Sequence, residues 1–552
     1  MSSTGKQLTV ENLEVAAAGS PLLSGVSLTV EPGEFVALVG SSGSGKTLTA
    51  MSCLQLLPAG VNVTGGSVSL GGLDLTSASE HELNAVRGGS VGMLFQQPKR
   101  MFNPNRTIEQ HLSEPLRLHG GLRGTKARAK AVELLAEVGF TDPEGGIRAY
   151  PHQLSGGMAQ RAMTALALAG KPHLLLADEP TSALDTILER QIMTLLDRER
   201  QERGLGILYI THNIASVAAY ADRILVMRSG RILESGPTAE LLARPQQDYT
   251  RELLAAARLS PGQPPGPSSA SAVAAASAIT TTATAAAVAS PAERDVLVLA
   301  AVGKRFGSRR RPGPSALDNV SLTLRRGEIL GILGQSGSGK STLAKAVVGL
   351  ETIDTGSITR HLDAAVSRQP TAVQLVFQEP HGAFDPRMTL RSSLQAPLRN
   401  RRGRTPDALE DQLTAALHEV ELDADLLDKR PGQCSGGQLQ RATIARALLL
   451  KPQILICDEA TSALDALTQL TILNLLLRLR REHDLSLVIV SHDLDVVQYM
   501  CDRIAVLQAG QVVEVSPTRD FFAQPQHPHS QELVHAYQAR TQDVAPHGSL
   551  QG

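Results

Sequence analysis

The sequence predicts an α/β fold written twice in tandem, and three observations predict it. Short apolar runs bounded by glycine read as buried strands: 35–39, 174–177 and 207–210 in the first half, and 329–333, 454–457 and 487–490 in the second. Helical stretches such as 156–169 and 187–203 follow them. Finally, Ser155, Asp178, Glu179 and His212 recur as Ser435, Asp458, Glu459 and His492, each at a constant offset of 280 residues. Self-similarity on that scale marks a duplicated domain, not a solenoid repeat.

Length and composition agree. A chain of 552 residues exceeds one core and suits two domains of about 250 residues each. Hydrophobic content of 42% with 19% charged residues is ordinary for a globular protein. The net charge of −1 and the 3% of aromatics, with no Trp, argue against a constitutive nucleic-acid binder. Cys53, Cys434, Cys457 and Cys501 show no Cys-x-x-Cys spacing, so reduced thiols are expected rather than disulfides or zinc ligands.

The expected boundaries are a first domain at 1–259, a flexible linker at 260–292, a second domain at 293–540 and a disordered tail at 541–552. The linker opens with Pro and Gly, then turns to Ala, Ser and Thr. Such a segment buries too little apolar surface to fold, and it has too few large aliphatics to span a bilayer. The halves also differ: 50 residues separate Lys46 from Gln96, but 38 separate Lys340 from Gln378. The second half is therefore expected to lack a peripheral segment there.

Each half carries Gly-x-x-x-x-Gly-Lys-Thr/Ser between a strand and a helix, the pattern of a phosphate loop. The first runs through Gly40, Ser41, Gly43, Ser44, Gly45, Lys46 and Thr47; the second through Gly334, Gln335, Ser336, Gly337, Ser338, Gly339, Lys340 and Ser341. Successive backbone N–H groups and a helix N-terminus make an anion site, and the lysine meets the β- and γ-phosphates. The hydroxyl of Thr47 or Ser341 is the expected Mg²⁺ ligand. Asp178-Glu179 and Asp458-Glu459 close apolar strands. The aspartate can hold Mg²⁺, and the glutamate can polarise an attacking water. One such octet could be a mere Gly/Ser turn, and one acidic pair a solvated strand end; two of each in register are not.

Together with Ser155-Gly156-Gly157, Ser435-Gly436-Gly437 and a histidine 33 residues past each glutamate, these motifs resemble the ATP-binding cassette family. The resemblance covers nearly the whole chain twice. It implies P-loop ATPase domains with a RecA-like α/β core, an antiparallel β subdomain and a helical signature subdomain. It also implies that the two cassettes pair head-to-tail within the chain around ATP and Mg²⁺. Lys46, Thr47, Gln96, Asp178, Glu179 and His212 would then work with Ser435, Gly436 and Gly437. Lys340, Ser341, Gln378, Asp458, Glu459 and His492 would work with Ser155, Gly156 and Gly157. Gln96 and Gln378 join the Mg²⁺ set by the same resemblance, and His212 and His492 would bond the γ-phosphate. Phe306 fits the family's adenine-stacking aromatic, whereas 15–20 holds none, so weaker stacking is expected in the first site. Cys434 replaces the usual signature leucine.

Outside these motifs, the Phe-Gln segments at 95–104 and 377–386 and the tails at 244–254 and 524–534 resemble the peptide/nickel importers. That resemblance implies an ATPase at the cytoplasmic face of the cell membrane. Its partners would be two permease subunits and an extracytoplasmic solute-binding protein, without nucleic acid. Finer likenesses at 57–61, 348–351 and 427–431 lean slightly toward nickel or a metallophore over di- or oligopeptides. The alternative is a soluble tandem-cassette ATPase acting in translation or DNA repair. The former would be expected to carry a charged helical linker and the latter zinc-type cysteine pairs; neither pattern is written here.

Overall fold

The computed structural model describes residues 6–96, 98–181, 186–257, 295–308, 311–335, 337–362, 372–398, 405–461 and 464–542. The expected linker, most of the expected tail and Ser336 lie outside them. The chain divides into two compact units. The first is Met1–Arg258 with Ala463–Leu467 and Glu532–Gly552; the second is Leu259–Ser462 with Thr468–Gln531.

Within the first unit a six-stranded sheet runs in the order Arg231–Pro237, Arg223–Arg228, Phe35–Val39, Gly206–Thr211, Leu174–Asp178, Val91–Leu94. All neighbours are parallel except the antiparallel edge strand Arg231–Pro237. Every residue of Phe35–Val39, Leu174–Asp178 and Gly206–Thr211 is buried. That explains why these strands read as continuous apolar runs, since a central parallel sheet is covered on both faces. Their side chains alternate between two cores. Phe35, Ala37, Leu175, Ala177, Ile207 and Tyr209 pack with the helices at 108–118, 124–137 and 156–168. Val36, Leu38, Leu174, Leu176, Leu208 and Ile210 pack against a second, antiparallel sheet. That sheet has the order Ser20–Val30, Leu8–Ala17, Val61–Leu70, Leu73–Asp74.

The second unit repeats the plan, with sheet order Val373–Val376, Ile454–Asp458, Ser486–Ser491, Ile329–Leu333, Arg503–Gln508, Gln511–Pro517. Its antiparallel sheet is Arg311–Arg325, Asp295–Ser308, Thr355–Arg360. The α/β expectation therefore holds in both halves, including the antiparallel layer and the helices around the signature. The 50-against-38 difference falls where the first unit has the hairpin Val61–Leu70/Leu73–Asp74 and helix Glu80–Val86. The corresponding stretch of the second holds the strand Thr355–Arg360 and residues 363–371, which are outside the described set. The last helix, Pro528–Gln542, runs past the expected boundary at 540. Among the described residues, no helix is long and apolar enough to cross a membrane.

Candidate active sites

Four strand ends of the central sheet deliver the predicted groups of the first cassette. The loop carrying Lys46 follows Phe35–Val39, Gln96 follows Val91–Leu94, Glu179 follows Leu174–Asp178 and His212 follows Gly206–Thr211. The carboxyl ends of parallel strands are where open α/β sheets bind ligands. The second cassette arranges Lys340, Gln378, Glu459 and His492 after the matching strands.

The loop conformation requires its glycines. Gly45 and Gly339 cap their helices at φ 107° and 108°, a region side-chained residues avoid. A Cβ on Gly40 would sit 2.1 Å from the Met227 carbonyl oxygen, and one on Gly334 2.2 Å from that of Leu507. Inside the loop, the Lys46 ammonium donates to the carbonyl oxygens of Gly40 and Ser41, both at 2.8 Å, and lies 3.4 Å from Ser44 Oγ. Lys340 donates to Gly334 O at 2.6 Å and Gln335 O at 2.9 Å. Burial lowers the Lys46 pKa, opposed by the negative charges of Glu179, Asp178 and Asp465.

Thr47 Oγ1 donates to Asp178 Oδ1 at 3.0 Å, and Ser341 Oγ to Asp458 Oδ1 at 3.2 Å. A hydroxyl beside a carboxylate is the all-oxygen donor set that suits a hard cation such as Mg²⁺. Burial raises both aspartates, Asp178 to about 6, because a carboxylate withdrawn from water resists charge.

Glu179 behaves differently, although it is the next residue. Its Oε2 accepts from Gln96 Nε2 at 2.7 Å, and its Oε1 meets His212 Nδ1 at 3.1 Å. Burial pushes Glu179 up, but the His212 hydrogen bond and charge, Lys46 and Gln96 together hold it below the usual carboxylate range. Glu459 repeats this with Gln378 Nε2 at 2.7 Å and His492 Nδ1 at 3.3 Å, and its pKa is also lowered. Burial lowers His492, yet the bond and charge of Glu459 outweigh it, and the imidazole is raised. Adjacent carboxyls are therefore driven apart, the aspartate up and the glutamate down.

Sequence reasoning missed how the glutamates are aimed. Glu179 and Glu459 have φ of 46° and 48°, in the left-handed region. Their N–H groups donate to Ile210 O and Val490 O, both at 2.9 Å, on the neighbouring strand. A non-glycine residue held there costs about 1–3 kcal/mol, and such positions cluster at functional sites.

The signature serines cap their own helices. Ser155 Oγ accepts from Met158 N at 3.2 Å at the start of Gly156–Leu168. Ser435 Oγ accepts from Gln438 N at 3.2 Å, and Gln438 Oε1 accepts in turn from Ser435 N at 2.9 Å. Gly157 and Gly437 are buried, while Gly156 and Gly436 follow the caps at the open ends of the helices. Phe306 is 44% exposed, with the Lys304 ammonium 5.7 Å from its ring centroid. Strand register identifies its counterpart. Leu13 pairs with Val26 and Val15 with Leu23, as Val302 pairs with Val320 and Lys304 with Leu317. Two residues beyond Val15 and Lys304, Ala17 stands where the second cassette has Phe306.

Comparison with known proteins agrees with this geometry. The family described as ABC transporter matches residues 23–182 and 317–462. The chain is 38% identical over 546 residues to a peptidoglycan transport ATP-binding protein, YejF, of Agrobacterium fabrum, covering 97% of each chain. It is 39% identical over 541 residues to an ABC transporter ATP-binding protein, also YejF, of Escherichia coli, covering 96% of this chain and 98% of that one. It is 36% identical over 537 residues to a glutathione import ATP-binding protein, GsiA, of Salmonella typhimurium, covering 93% of this chain and 85% of the relative. The chain belongs to the ABC transporter family, as an ATPase whose single polypeptide carries two ATP-binding cassettes.

Proposed function

We propose that this chain is the energy-coupling ATPase of a peptide-family importer, with both cassettes hydrolysing ATP. The observation that carries the reading is the doubled assembly of phosphate-loop lysine, hydroxyl–aspartate pair and glutamate–histidine pair at the carboxyl ends of each sheet. Lys46 and Lys340, held by their loop carbonyls, would direct a remaining N–H to the β- and γ-phosphate oxygens. Thr47 with Asp178, and Ser341 with Asp458, fit Mg²⁺; Gln96 and Gln378 would join them on moving from the glutamates. Held by those residues, Mg²⁺ would supply positive charge for the phosphate oxygens. Glu179 and Glu459, kept ionised, would accept a proton from the attacking water. His212 and His492 would hydrogen-bond the γ-phosphate while orienting those carboxylates. Phe306 would stack on adenine in the second site. Each phosphate loop would be completed by the other cassette's Ser-Gly-Gly, so that ATP favours closure and hydrolysis reverses it.

The chain would sit at the cytoplasmic face of the cell membrane, against two permease subunits fed by a solute-binding protein. The relatives named for peptidoglycan transport and glutathione import favour a peptide-like cargo. The lean toward nickel finds no support in those names. Affinity purification of the intact chain from membranes tests the reading. Recovery of two integral-membrane subunits supports it, and co-sedimentation with ribosomes without them overturns it. Uptake assays with dipeptides, glutathione, muropeptides and nickel then identify the cargo.

A further inference from the structure

The C-terminal segment of the first cassette reaches back to its phosphate loop. Glu234, on the edge strand Arg231–Pro237, accepts from the backbone N–H groups of Gln246 at 2.7 Å and Gln247 at 3.1 Å, and from the Thr250 hydroxyl. This clamp fixes the start of helix Asp248–Ala257. Tyr249 is thereby buried, 5% exposed, with the Arg228 guanidinium 4.7 Å from its ring centroid. Its hydroxyl accepts from the backbone N–H of Ser41 at 2.9 Å, across 208 residues of sequence.

That N–H belongs to the Gly40–Ser41 peptide, whose carbonyl, Gly40 O, receives the Lys46 ammonium. In a trans peptide the N–H and C=O point in opposite directions from one rigid plane. Tyr249 pins one edge of the plane and Lys46 the other, so the plane cannot rotate without breaking a bond.

We propose that Tyr249 is a positioning residue for the first phosphate loop, holding the Gly40–Ser41 peptide and through it Lys46, and thereby setting the ATP affinity of that site. The inference rests on the phosphate-loop reading above. It concerns the first cassette. The second keeps the anchor, with Glu514 accepting from His527 N at 2.9 Å, but has His529 at the position of Tyr249 and Gln335 at that of Ser41.

The test uses the full chain and a fluorescent N-methylanthraniloyl ATP. In a Lys340→Ala background only the first site reports. There, Tyr249→Phe, which keeps the ring, is expected to weaken binding about three- to tenfold, the worth of one hydrogen bond. In a Lys46→Ala background, where the second site reports, the same change should leave affinity unaltered. A general structural role would weaken both sites and lower the unfolding midpoint of the nucleotide-free chain. Unchanged affinity at the first site, or equal loss at both, overturns the proposal. Failure of the Lys340→Ala parent to bind nucleotide would instead refute the phosphate-loop reading itself.

Discussion

Glu179 and His212 stand 33 residues apart in sequence and 3.1 Å apart in space, because each directly follows one of two adjacent parallel strands. Glu459 and His492 keep the same separation and meet at 3.3 Å. The bond keeps a buried carboxylate ionised beside an aspartate that burial pushes the other way.

Glu179→Gln and Glu459→Gln each retain shape but lose the proton acceptor. Each is expected to retain ATP binding and to cut turnover by about two to four orders of magnitude at its own site. Single-turnover phosphate release with labelled ATP checks this; a variant with unaltered rate marks a site whose glutamate is not the base. His212→Ala should also raise the Glu179 pKa by removing the hydrogen bond and charge that do most to hold it down. The acid limb of the first site's pH–rate profile then moves to higher pH.

The two adenine platforms should be separable by exchange. Phe306→Ala, read in the Lys46→Ala background, is expected to lose about 1–3 kcal/mol of ATP affinity, the worth of one stacked base. Ala17→Phe, read in the Lys340→Ala background, should strengthen binding at the first site. Titration calorimetry of the four chains measures both, and equal starting affinities at the two sites would contradict the asymmetry.

Gly40→Ala places a methyl 2.1 Å from the Met227 carbonyl oxygen, and backbone cannot move aside as a flexible side chain could. Destabilisation by about 2–4 kcal/mol is expected, together with lost nucleotide binding. Gly156→Ala is the contrast, since nothing lies within 4 Å of the added carbon. Thermal melts of the two variants should therefore diverge.

The tail clamp should depend on pH. Burial raises Glu234, but the N–H groups of Gln246 and Gln247 and the Thr250 hydroxyl outweigh it, leaving a pKa below the usual value. A depressed folded-state pKa contributes stability above the unfolded value, lost as pH falls through the folded one. Hydrogen-exchange protection of residues 248–257 should thus hold at neutral pH and decline in acid. Glu234→Gln should show reduced protection already at pH 7.

The sheet and most site residues were legible because they obey local rules. Buried parallel strands such as Phe35–Val39 are uninterrupted apolar runs, and the phosphate loop has a fixed glycine spacing. The missing first aromatic was also legible, although placing Ala17 opposite Phe306 needed the bulged register of two hairpins. The left-handed glutamates were not legible, because nothing in Asp-Glu distinguishes a strained φ from an ordinary strand end. Nor was Tyr249, whose partner is a backbone N–H 208 residues away. Such contacts leave no side-chain pattern to read.

The twisted backbone at Glu179 and Glu459 has a consequence for the durability of the enzyme. Glycine adopts that conformation freely, so Glu179→Gly should relieve strain of about 1 kcal/mol while removing the carboxylate that Gln96 and His212 bond. Each cassette therefore carries local backbone strain beneath its bonded glutamate, twice in every molecule.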